Sequence, residues 1–222
     1  MKNKSLYVFR NIEKSFSRQK ILLEVDITLT ESKCVLLSGK NGSGKTTLLK
    51  IIAGLEKPDK AEIEFESQSY RWKNILRSIR KNIIYLHQHP FLFSGTVESN
   101  IAYGLRFTSF SRKERKAALF EALEWSGLTD MAKYQANSLS GGIQQRVAFS
   151  RAYILKPKVL LLDESMSNMD DESREKTCNL LNKMKDEGLS IVVTSHFSQN
   201  IDGLVNSYYY LSGGKIKEGK VI

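Results

Sequence analysis

The chain opens on alternating apolar and polar positions, Leu6 and Val8 first and Val25, Ile27 and Leu29 later, around a polar Ser17-Arg18-Gln19-Lys20 stretch. Period-two alternation about a turn predicts antiparallel strands through residue 33. Cys34 to Leu37 is apolar throughout and reads as a buried strand. A helix then starts near Lys45 and ends near Gly54, with Pro58 beyond it as a stop signal. Alternation resumes at Ile63 and Phe65, a helix is predicted around Trp72 to Arg80, and Asn82 to Leu86 reads as another strand. From about Gly95 to Ser138 the pattern is helical: Ser111 and Glu114 form a capping box, Ala118, Ala122 and Trp125 share a face, and Gly127 can cap the end. Strand-like runs at Val159 to Leu162 and Ile191 to Thr194 flank a helix from about Asp171 to Lys185 that Gly188 terminates, the β-α-β rhythm of a parallel sheet. Tyr208 to Leu211 and Ser212-Gly213-Gly214 predict a closing hairpin.

At 222 residues the chain can bury one core carrying a helical insertion. It shows no internal repeat, low-complexity tract or flexible linker. No apolar run approaches a membrane span, and MKNKSLYVFR lacks the apolar stretch of a signal peptide, so a cytoplasmic protein is expected. Cys34 and Cys178 lie far apart and suggest neither a disulfide framework nor a metal site. The net charge of +10 suits polyphosphate, an anionic membrane surface or nucleic acid alike.

Chemistry enters between the buried strand and the helix after it. Gly39 and Gly44 stand five apart and are followed by Lys45 and Thr46, the full P-loop pattern, with Asn41-Gly42 as turn residues between them. Glycines let backbone N–H groups fold around an anion, and the helix start adds the positive end of its dipole. Lys45 reaches β/γ-phosphates as a point charge, and the Thr46 hydroxyl is placed to hold Mg²⁺. Val159 to Leu162 leads into Asp163-Glu164. Alone, such a pair is an ordinary solvated turn; after a P-loop, Asp163 becomes the metal-facing acid. On an extended chain Glu164 points the other way and can polarise a water. Ser140-Gly141-Gly142 opens a second glycine-rich helix start, able to clamp a γ-phosphate; by itself it would be an ordinary N-cap.

Over nearly its whole length the sequence resembles the ATP-binding cassette (ABC) family. GKNGSGKTT resembles that family's Walker A, LSGGIQQRV its signature, VLLLDE its Walker B with the catalytic glutamate, and Ser167-Asn168-Met169-Asp170 its D-loop. Gln88 matches the Q-loop glutamine, and His196 the switch histidine. The resemblance implies an α/β fold: a P-loop NTPase core with a mixed parallel sheet, an N-terminal antiparallel β subdomain and a helical insertion. It implies one nucleotide-binding domain over 1–222, with an ATP-binding core at about 1–94 and 139–222 and a helical subdomain at about 95–138. Glu164, His196 and Gln88 are then expected to be catalytic. Phe16 is expected to stack on adenine, ahead of Tyr7 and Phe9. Gly39, Asn41, Gly42, Ser43, Gly44, Lys45, Thr46 and Thr47 are expected around the phosphates of ATP, with Ser140, Gly141, Gly142 and Asp170 completing the site. Thr46, Gln88 and Asp163 are the expected Mg²⁺ contacts. His87 and His89 flank Gln88, but with few other soft ligands they do not suggest a metal site of their own.

The resemblance is of importer type, chiefly through YGL and QQRVA, although FLFSGT is also similar to exporters. It implies ATP hydrolysis on the cytoplasmic face of a membrane, a head-to-tail dimer of two copies, a transmembrane permease and a substrate-binding protein. Phe91-Leu92-Phe93 is the expected permease contact, at least one phenylalanine lining an exposed groove. A short cassette lacking a regulatory C-terminal domain is expected, similar to tungstate and molybdate importers. The alternative is a soluble cassette acting on nucleic acid or ribosomes, but those relatives carry two cassettes or a long coiled coil, and nucleic acid is not the expected partner. Two departures stand out: Ile143 replaces the glutamine that commonly ends the signature, and Ser165-Met166 replaces proline-threonine, which is expected to loosen the turn after Glu164.

Overall fold

The structure is a computed structural model that describes residues 4–166, 169–194, 201 and 203–219. Two compact units share the chain: Met1–Tyr85, Lys158–Glu164 and Asn182–Ile222 form the first, and Leu86–Pro157 and Ser165–Leu181 the second.

In the first unit the alternation of the N-terminal residues becomes two long antiparallel strands, Ser5–Phe16 (β1) and Gln19–Thr30 (β2). Lys60–Phe65 (β4) and Gln68–Tyr70 (β5) extend them into a four-stranded sheet of order β2-β1-β4-β5. One face of this sheet is apolar, and Tyr7, Phe9, Ile12, Leu22 and Ile63 are buried there. Between β2 and β4 lie Cys34–Ser38 (β3) and the helix Lys45–Ile52 (α1), which buries Leu48, Leu49, Ile51 and Ile52 into the same core. Trp72–Asn82 (α2) adds Ile75 and Ile79. Asn82, expected to begin a strand, instead ends this helix, its side-chain amide donating to the Tyr7 and Ser78 hydroxyls at 3.0 and 3.2 Å.

The second sheet contains Ile83–Leu86 (β6), Val159–Asp163 (β7), Ser190–Thr194 (β8), Ser207–Ser212 (β9) and Lys215–Glu218 (β10), in the order β10-β9-β3-β8-β7-β6. β9, β3, β8 and β7 run parallel, whereas the terminal hairpin β9–β10 is antiparallel. β7 and β8 are buried along their whole length, which is why they read as unbroken apolar runs rather than as alternation.

The second unit is helical. Val97–Ala102 (α3) starts on Thr96, whose side chain accepts from the Ser99 N–H at 3.2 Å. Arg112–Ser126 (α4) carries the expected capping box and ends on Gly127 in the left-handed region, φ 61°. Gly141–Tyr153 (α5) packs on α4 through the Trp125 and Tyr153 rings, stacked with centroids 4.3 Å apart. Asp171–Asp186 (α6) follows β7 and precedes β8 in the chain.

Candidate functional site

The loop from β3 to α1 is held against β9. A Cβ on Gly39 would lie 2.5 Å from the Leu211 carbonyl oxygen, so only glycine permits this approach. Gly44 caps α1 at φ 106°, a conformation L side chains rarely adopt. The Lys45 side chain is buried, and its ammonium donates to the Gly39 and Lys40 carbonyls at 2.9 and 3.2 Å. Ser43 has a buried hydroxyl without a hydrogen-bond partner. A buried donor of that kind, with convergent backbone and a lysine, fits the oxygens of a phosphate chain. Thr46 is exposed, Thr47 half-buried and Asn41 exposed, all on the same loop and first turn.

Asp163 ends β7 with its carboxylate buried and fixed from both sides. The Tyr85 hydroxyl on β6 donates to its Oδ2 at 2.7 Å, and the Thr194 hydroxyl on β8 donates to its Oδ1 at 3.0 Å. Burial, then the hydrogen bond to Asp163 and the charge of that carboxylate, raise the Tyr85 hydroxyl far above its ordinary value of 10.0, so it remains a donor. Glu164 departs from expectation. The strand stops at Asp163 and Glu164 lies in the left-handed region at φ 50°, so its side chain is aimed by a turn rather than by alternation. Its N–H donates to the Thr194 hydroxyl at 2.9 Å, and its carboxylate lies 4.0 Å from the Lys45 ammonium. A glutamate held in that region costs on the order of 1–3 kcal/mol, the kind of strain that clusters at working sites.

The Thr46 hydroxyl and the Asp163 carboxylate are hard-oxygen donors, the chemistry that fits Mg²⁺, which asks for one or two protein ligands beside phosphates and waters. Among the described residues no group of three His, Cys, Asp or Glu side chains is gathered. Phe16 is 46% exposed at the tip of β1, with the Lys14 ammonium 4.7 Å from its ring centroid, while its rivals Tyr7 and Phe9 are fully buried. Neither Tyr85 nor Thr194 stood out in the sequence, since both are ordinary strand formers. The available signal was a polar residue ending the apolar run Ile191-Val192-Val193.

In the second unit, half-buried Gln88 follows the end of β6, between exposed histidines. Ser165 overturns the expected loosening. It is buried, and its hydroxyl reaches the Leu86 and His87 carbonyls at 3.0 and 3.2 Å, so the departure from proline adds a tie. Ser140 precedes α5 with its side chain making no capping bond, unlike Thr96 and Ser111. Gly142 is pressed against α6, where a Cβ would meet the Ser173 hydroxyl at 2.9 Å. Asp170 spends its carboxylate on the start of α6, accepting from Ser173 N–H at 2.7 Å and from the Ser173 hydroxyl at 3.1 Å. Those bonds, the backbone one first, hold its carboxyl below its ordinary value. His196, with Ser167 and Asn168, lies outside the described residues.

Phe93, Ser94, Ser99, Ala102, Tyr103 and Arg106 line a cleft of about 440 Å³. Phe91 is 72% exposed and meets Phe93 edge to face at 5.4 Å, whereas Leu92 is buried. Phe93 is held by Asn100, a buried side chain that the sequence did not single out. Its Oδ1 accepts from Phe93 N–H at 2.8 Å, and its Nδ2 donates to the Phe93 and Thr96 carbonyls, both at 3.0 Å. The Arg151 guanidinium donates to the Phe91 carbonyl at 2.8 Å and lies 5.4 Å from the Phe93 ring, with Nη1 buried and unbonded.

Residues 22–167 match the model of the family described as ABC transporter. An Fe(3+) ions import ATP-binding protein, FbpC, of Mannheimia succiniciproducens is 35% identical over 197 residues, covering 87% of this chain and 54% of the relative. The methionine import ATP-binding protein MetN of Nocardia farcinica is 35% identical over 95% of this chain and 65% of its own length. This chain thus spans about half to two-thirds of these relatives. The structure of cbiO1 from Clostridium perfringens, part of the ABC transporter complex cbiONQ, matches with a TM-score of 0.88 at 23% identity, covering 97% of this chain and 88% of that one.

Proposed function

This chain belongs to the ABC transporter family, and from that premise we propose that it binds and hydrolyses ATP as the motor subunit of a membrane transporter of importer type. The carrying observation is the approach of Lys45, at the start of α1, to within 4.0 Å of Glu164, next to Asp163 just past the end of β7. Lys45 presents a point charge to the β/γ-phosphates, among the N–H groups of the loop. Glu164, held by its left-handed turn and by Thr194, is the general base for an attacking water. Thr46 and Asp163 would hold Mg²⁺, which when bound supplies charge neutralisation on the phosphoryl oxygens. His196 would sense the γ-phosphate, and Phe16 would stack on the adenine.

A second copy completes the site head to tail. The uncapped Ser140 and the N–H groups of Gly141 and Gly142 support a clamp on the partner's γ-phosphate, with Asp170 beside them. The aromatic cleft supports a permease contact. Phe93 and Tyr103 offer apolar surface, while Arg106 favours a short helix bringing a carboxylate or its own C-terminal carbonyls. Among the described residues no helix is long and apolar enough to cross a membrane, which supports a peripheral place on the cytoplasmic face beside such a permease. A substrate-binding protein follows from the importer reading. Tungstate or molybdate as cargo rests on resemblance alone, and importers similar to this chain carry names as diverse as Fe(3+) and methionine. Those names support import over action on nucleic acid.

Glu164→Gln tests this reading. Hydrolysis should fall by about 10²–10⁴-fold while ATP binding persists, and light scattering should show an ATP-dependent dimer. Turnover near the wild-type rate would remove Glu164 as the base; a monomer at saturating ATP would remove the composite site.

A further inference from the structure

We propose that Tyr85 is a positioning residue for the divalent cation, its hydroxyl fixing the plane of the Asp163 carboxylate together with that of Thr194. The proposal rests on the nucleotide site described above and adds a residue that the P-loop pattern does not contain.

A carboxylate at a strand end rotates easily about its last bond, because that torsion has broad minima. Here each oxygen is held by a donor: Tyr85 on Oδ2 at 2.7 Å, and Thr194 on Oδ1 at 3.0 Å. The two donors come from opposite sides, since β7 runs between β8 and β6. Both sit on sheet strands rather than loops, so the backbone ladder sets where they stand. Parallel pairing places Thr194 directly beside Asp163. The Tyr85 bond has the short O–H···O⁻ length of a charge-assisted interaction.

The two anchors divide their work. Thr194 also accepts the Glu164 N–H at 2.9 Å and approaches the Leu162 carbonyl at 3.3 Å, so it ties both acids to one hydroxyl. Tyr85 acts on Asp163 from the other strand, across the chain from the Glu164 turn. Loss of the Tyr85 hydroxyl should therefore affect the cation more than the base. A tyrosine that merely satisfies a nearby acceptor would affect neither once the protein has folded.

The test uses the full chain, a fluorescent ATP analogue, and Mn²⁺ or EDTA. The quantity read is the gain in nucleotide affinity that the metal confers. Tyr85→Phe should shrink that gain by about 10-fold, the usual cost of removing a hydrogen bond to a metal ligand, with affinity in EDTA unchanged. Thr194→Ser, which keeps a hydroxyl, should preserve the gain, and Thr194→Val should lose it. An unchanged or larger gain in Tyr85→Phe overturns the proposal, and so does an equal loss of affinity in EDTA. A Tyr85→Phe protein that does not fold also overturns it, by assigning the hydroxyl to stability. If the wild-type protein binds no nucleotide with Mn²⁺, the reading of the site itself fails, a separate outcome.

Discussion

Replacing Gly39 by alanine isolates how closely the phosphate loop is set against the sheet. The added Cβ would sit 2.5 Å from the Leu211 carbonyl oxygen and 2.8 Å from the Ser43 hydroxyl, at φ +151°. The first contact is about 1 Å inside the ~3.5 Å optimum of non-bonded carbon. Leu211 cannot retreat, because it is fully buried in β9, between β3 and β10. Crowding of this kind costs about 1–3 kcal/mol, and unfavourable backbone about 1–3 kcal/mol more. Gly42 is the control: it also has positive φ, +76°, but a Cβ there would meet nothing within 4 Å, so only the backbone cost applies. The difference between the two alanines is then about 1–3 kcal/mol, or about 2–12 °C in Tm for a chain of this size. Thermal melts of Gly39→Ala and Gly42→Ala, followed by circular dichroism, measure it. If the two melt at the same temperature, the close approach carries no energetic weight and the reasoning fails.

Phe91→Glu in the assembled transporter should leave basal ATP hydrolysis intact and abolish its stimulation by cargo, since Phe91 is exposed rather than in the core and meets Phe93, which lines the cleft. If the same substitution unfolds the isolated chain, the cleft assignment is wrong, and if tungstate or molybdate stimulates nothing in the wild type, the oxyanion reading falls. For α4, the Ser111 hydroxyl and then its N–H hold the Glu114 carboxyl below its ordinary value of 4.5. A lowered folded-state value means stability present above that ordinary value and lost as the pH falls through the lowered one. Melts of Glu114→Gln and the wild type should therefore differ at neutral pH and converge in acid; a gap constant with pH would refute the ionic part of the cap.

What could be read in advance follows from how narrow the physical demand is at each position. The phosphate loop was legible because its glycines answer to backbone constraints that few residues meet, Gly39 by close approach and Gly44 by its φ of 106°. The α4 ends were legible for the same reason, at Ser111, Glu114 and Gly127. Phe16 was set ahead of Tyr7 and Phe9 by resemblance alone, and of these three in one strand it is the exposed one. Glu164 was misaimed because period-two alternation was carried one residue past the strand end. Ser165 and Asn100 act through backbone carbonyls distant in sequence or around a turn, and no pattern of side chains announces such partners. Thr194 and Tyr85 acquire meaning only when β7 is laid between β8 and β6.

Asn100 has a mechanical consequence. A loop beside a docking cleft is ordinarily the soft spring in the assembly, and a push on it is absorbed by small rotations of its own backbone. Here one amide rivets residues 93 and 96 to α3 through both the N–H and the C=O of Phe93 and the C=O of Thr96. With the compliance of that segment removed, a displacement applied at the Phe93 ring is delivered to the helix as a rigid-body movement. Stiffness at this point would decide whether the motion of a partner docked at the proposed cleft is transmitted or lost.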